Sequence, residues 1–151
     1  RAEVMDLTAD DKVLLEILGR WQRAENAAVA LSAKVTEEAQ NPLIRLVAEI
    51  VQRDSLLHHR VEQMLIDDLE RDSISRPSEE DFDKVWAKLT EAVNIEDRFI
   101  EWGEKALENE KARGNELPVF LLNYLLTAEK MHKIMLEDLK KLRQNHVSKK
   151  Q

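Results

Sequence analysis

Glu129 and His132 stand three residues apart in the last long amphipathic stretch of the chain, among Leu121, Leu125, Ala128, Met135 and Leu139. Three- and four-residue spacings put side chains on one face of a helix, so a carboxylate and an imidazole here share an apolar face. Such groups are costly away from water unless something pairs with them, and a metal ion is one such partner. Three other apolar stretches are interrupted in the same way. Glu25 lies between Trp21 and Ala28, Asp54 lies between Val51 and Leu57 with His58 one turn later, and Glu96 lies between Ala92 and Phe99. Together Glu25, Asp54, Glu96 and Glu129 would bring four negative charges, which two divalent ions would cancel, with His58 and His132 capping one metal each. Imidazole suits iron, manganese or zinc, and carboxylates can bridge two metals. Without metals, converging acids must take up protons or spread apart.

The elements that would hold these groups can be read from punctuation. Thr8-Ala9-Asp10-Asp11 is a helix start, with Thr8 as cap and acids in the first turn. Asn41-Pro42 is an N-cap followed by proline in the first turn. Ser78-Glu79-Glu80-Asp81, after the break that closes at Pro77, repeats the style of the first start, and Gly114 is a helix terminator ahead of Leu117-Pro118. Four helices are predicted, over 8–38, 42–69, 79–109 and 117–145, with a cationic tail that places Lys140, Lys141, Arg143, Lys149 and Lys150 at and beyond the C-terminus of the last helix and also holds His146. Each helix has an apolar stripe at helical spacing, such as Leu14, Leu18, Trp21, Ala28 and Val35, or Val47, Val51, Leu57, Val61, Met64 and Leu65. The expected fold is all-α, a four-helix bundle in one domain over 1–151. Ile95 and Trp102, one heptad apart and off the main stripe, mark an expected homodimer surface.

The acids fall at matching depth. About 13 residues separate Glu25 from the first interhelical turn, and about 13 more lead from that turn to Asp54. Glu96 and Glu129 have similar legs, so at about 1.5 Å per residue the acids of each helix pair share a height. The halves also repeat weakly: Glu25 precedes His58 by 33 residues and Glu96 precedes His132 by 36.

Composition excludes several function classes. Three glycines, three prolines, few aromatics and 35% charged residues are the usage of long helices. A net charge of −7 disfavours nonspecific nucleic acid or anionic membrane as partner. Cysteine is absent, which excludes disulfides and thiolate metal sites. No apolar run approaches the ~20 residues of a bilayer span, no signal peptide is visible, and a cytoplasmic location is expected. No nucleophile triad or phosphate loop is present.

With these residues the chain resembles the ferritin-like superfamily, especially the rubrerythrin-type bundles, whose pattern is Glu on helices 1 and 3 and Glu-x-x-His on helices 2 and 4. Glu96 with Glu129-Lys130-Met131-His132 is similar to that pattern, and Glu25 with Asp54-Ser55-Leu56-Leu57-His58 follows it more loosely. The resemblance implies Glu25, Glu96, Glu129 and His132 as ligands of a di-metal centre. It implies iron first, with oxygen or peroxide as the reacting molecule in an oxidase, peroxidase or metal-handling role. Aligning His58 with the helix 2 histidine puts Ser55 where the glutamate belongs, so Asp54 would have to substitute. Ser32 and Gly103 stand where such bundles often carry tyrosine. The ferritin-like fold also requires a long crossover between helices 2 and 3, whereas the predicted boundaries suit a simple up-down-up-down bundle. A metal-free structural or interaction bundle is the alternative reading.

Overall fold

The computed structural model describes residues 6–147, with side chains through Arg143. His146, Lys149 and Lys150 of the predicted tail lie outside the described side chains. The described residues form four helices, α1 (Ala9–Glu38), α2 (Pro42–Arg71), α3 (Glu79–Ala112) and α4 (Glu116–Val147). All four expected elements are present. α2 runs two residues further than expected, and α3 three.

The helix starts are local chemistry. Thr8 and Ser78 each accept from the backbone N–H three residues on, while Asp11 and Asp81 accept in return from the cap backbone, giving two complete capping boxes. Asn41 accepts from Leu43 and Ile44 ahead of α2, with Pro42 supplying a fixed φ where no amide donor is needed. The end of α3 is a Schellman motif. Asn115 N–H donates to Glu110 and Gly114 N–H to Lys111, with Gly114 at φ 69°. α2 instead ends on Asp72 in the left-handed region, which Asp tolerates better than most side chains.

The chain divides into two compact units, Arg1–Ser75 and Arg76–Gln151. Each is a helical hairpin, α1 against α2 and α3 against α4. In the first, Gln22 Nε2 donates to Gln63 Oε1 at 3.0 Å and to the His59 carbonyl at 3.4 Å, fixing the register of the pair. In the second, Lys133–Asp97 (2.5 Å) and Lys130–Glu104 (3.6 Å) bridge α3 and α4.

The seam of α1–α2 is narrow and largely polar. Leu18 and Ala48 are buried there together with Glu25, Ser32, Ser55 and Glu62. The stripe expected to face inward is open instead: Trp21 is 55% exposed, and Leu14, Val35, Val51, Leu57, Val61 and Met64 are exposed as well. Two helices in contact can cover only the strip along their own seam, and close approach there selects small side chains. The α3–α4 seam buries Phe82 and Leu126, with Gly103 admitting the Leu126 side chain.

Part of the expected tail is structure. Lys140 Nζ and the Arg143 guanidinium each lie 4.7 Å from the centroid of the Trp86 ring, and Phe82 meets the same ring edge-on. Arg143 also pairs with Asp83, and Lys140 donates to Thr90. These cations pack on α3 rather than serving only the helix dipole. No helix of the described residues is long and apolar enough to cross a membrane.

Candidate metal centre

In the α3–α4 hairpin, α3 contributes Glu96, and α4 contributes Glu129 and His132 on adjoining turns. His132 Nδ1 lies 3.4 Å from Glu96 Oε1 and 3.4 Å from Glu129 Oε2. One ligand atom from each residue falls within 4.8 Å of the other two, the one such trio among the described residues. The carboxylates are the more buried members, with side chains 13% and 23% exposed against 55% for the imidazole.

Electrostatics leave this trio short of positive charge. Burial pushes the Glu96 carboxyl above its ordinary value, and the neighbouring Glu129 carboxylate pushes it in the same direction, while His132 opposes both. Glu96 Oε2 is buried and has no hydrogen-bond partner. A buried acceptor left unmatched beside a second acid is what a cation would satisfy. Two carboxylates and an imidazole are a donor set for a first-row divalent ion, so these residues fit a metal. An apolar pocket of about 270 Å³ adjoins them, lined by Phe99, Trp102, Leu122 and Leu126 together with Glu129.

The α1–α2 hairpin carries a related but different arrangement. His58 Nδ1 lies 3.3 Å from Glu25 Oε1, and the Trp21 indole N–H donates to the same oxygen at 3.2 Å. The Ser55 hydroxyl beside Glu25, helped by His58 and Trp21, holds its carboxyl below the ordinary range against the opposing effect of burial. Asp54 is not brought to this group. It is exposed, while its neighbour Ser55 is buried at the seam. Helix geometry explains the correction: Asp54 and Ser55 both lie about one turn before His58 but point about 100° apart, and it is Ser55 that falls on the seam with α1.

Comparison of the chain with protein-family models, curated proteins and solved structures finds no match in any of the three. The residues themselves therefore carry the functional reading.

One buried acid was missed in the sequence. Glu62 on α2 is only 4% exposed, and neither carboxylate oxygen has a hydrogen-bond partner. Burial raises its carboxyl above the ordinary value, and the Glu25 charge raises it further, with His59 and His58 opposing. The available signal was its spacing, four residues after His58 and seven after Ser55, which continues the seam face.

Proposed function

We propose that this protein is a di-metal carboxylate protein of ferritin-like type. It would bind iron in the first instance, manganese or zinc otherwise, and act in oxidation, peroxide reduction or metal handling. The observation that supports this is the Glu96, Glu129 and His132 trio, with an unpartnered buried oxygen on Glu96 and a second acid beside it. Glu96 and Glu129 would hold the ion through carboxylate oxygens and His132 through a ring nitrogen. The bound metal would supply the electron transfer to oxygen or peroxide that no side chain of this chain can perform. Glu96 and Glu129, kept together on the seam, set the charge that selects a divalent cation. The apolar pocket beside Glu129 gives a small uncharged molecule an approach to that carboxylate.

The test is metal content of protein purified without chelator and supplied with iron or manganese. About two metals per chain, with binding reduced in Glu129→Ala, is the expected result. Absence of bound metal, together with an unchanged melting temperature on metal addition, would leave a metal-free helical scaffold.

A further inference from the structure

We propose that Glu62, Glu25 and His58 form a divalent-cation site belonging to the α1–α2 hairpin, in which Glu62 provides the second carboxylate that Asp54 does not. The inference extends the metal-carboxylate reading above, but it stands on other residues and another hairpin.

Three observations converge. Glu25 and His58 already meet across the seam at 3.3 Å, so one carboxylate and one imidazole are joined there before any ion arrives. Glu62 follows His58 by one helical turn, on the face that also carries the buried Ser55. Glu62 is only 4% exposed, and both of its carboxylate oxygens are buried without a donor. A buried carboxylate normally finds an arginine, a lysine or backbone amides. None of the hydrogen bonds or ion pairs of the described residues reaches Glu62, and the groups that act on its charge are Glu25, His59 and His58. Two acids and an imidazole on one seam, with two unmatched oxygens, are a donor set that suits a divalent cation.

The chemistry also explains the offset between the hairpins. On α4 the acid precedes the histidine by three residues; on α2 it follows by four. Both spacings return to the same helix face. Ser55, at the place equivalent to Glu129, supports Glu25 instead of supplying a charge. Glu25 and Glu62 together neutralise a divalent ion as two carboxylates, and His58 supplies the nitrogen. Glu62 closes on the ion by rotating about its own side-chain torsions, because its oxygens are not yet within 4.8 Å of both partners' ligand atoms.

The experiment uses the full chain with Co²⁺ alone as probe, followed by calorimetric stoichiometry and visible absorption. Wild type, Glu62→Gln, Glu129→Ala and the double variant are compared. Glu62→Gln preserves shape, and circular dichroism verifies that the helices persist. The proposal predicts that Glu62→Gln weakens one Co²⁺ equivalent by roughly 10-fold or more, that Glu129→Ala weakens a different one, and that the double variant loses both. A second readout is the Trp21 indole N–H resonance, assigned with Trp21→Phe. Its proton is donated to Glu25, so Co²⁺ shifts or broadens it in wild type and in Glu129→Ala but not in Glu62→Gln. If Glu62→Gln binds Co²⁺ as wild type does, the proposal is overturned while the α3–α4 reading stands. Binding lost in Glu62→Gln and intact in Glu129→Ala would support it and overturn the α3–α4 reading. No binding in any form overturns both.

Discussion

A Cβ atom added to Gly103 would stand 3.3 Å from Cδ1 of Leu126, across the α3–α4 seam. That approach is close, but the atom it meets is the end of a flexible side chain bordering a pocket. Gly103→Ala should therefore be tolerated. Alanine gains about 0.8–1 kcal/mol in helix propensity over glycine, which offsets the small displacement of Leu126. Gly103→Leu should destabilise the hairpin by about 1–3 kcal/mol through overpacking. Urea denaturation midpoints of the two variants check this, and equal midpoints would contradict the seam geometry.

Glu62 yields a stability prediction in metal-free protein. Removing its charge while keeping its shape, as in Glu62→Gln, relieves an unpaired buried carboxylate. The expected gain at neutral pH is on the order of 1 kcal/mol, or roughly 2–4 °C in melting temperature. If the variant melts below wild type in chelator, the carboxylate is making a favourable contact and its unpaired state is refuted.

Acid should loosen the helix starts. The Asp11 and Asp81 carboxyls are held below the ordinary value of 3.8, chiefly by the Thr8 side chain and the Ser78 backbone N–H respectively. A carboxylate with a lowered folded-state value contributes stability that is present above its unfolded value and lost as pH falls through the folded one. Helicity followed from pH 5 to pH 2 should thus decline on the acid side of 3.8. Asp81→Ala should have less to lose over that window than wild type. An unchanged acid limb in that variant would show that the box does not stabilise α3.

Much of this architecture was legible in the residues. Thr8, Asn41 and Ser78 marked three helix starts because caps depend on a few adjacent residues, and Gly114 marked an end because its φ of 69° suits glycine. Glu96, Glu129 and His132 were legible as a group because helical spacing and matching depth suffice to bring them together. The helix faces were harder to read. Hydrophobicity picks out the broadest apolar stripe, and Trp21, Val51, Leu57 and Val61 belong to it, yet they are exposed. The seam of two closely packed helices selects small or slender groups instead, hence Ser32, Ala48 and Ser55. Asp54 was chosen over Ser55 because charge outweighed phase by one residue. Glu62 was not singled out as a site residue because nothing in composition distinguishes a buried glutamate from the many solvated ones.

The two capping boxes have a bearing on how the polypeptide acquires its shape. Each box is encoded within four consecutive residues, Thr8–Asp11 and Ser78–Asp81, and requires no distant segment for its bonds. Seam closure then joins positions only 33 to 41 apart, as in Glu25 with His58 and Gln22 with Gln63. Short sequence separations of this kind favour rapid formation. During synthesis α1 can set its first turn before α2 has been made, and the α1–α2 hairpin can zip shut while the second half of the chain is still being translated.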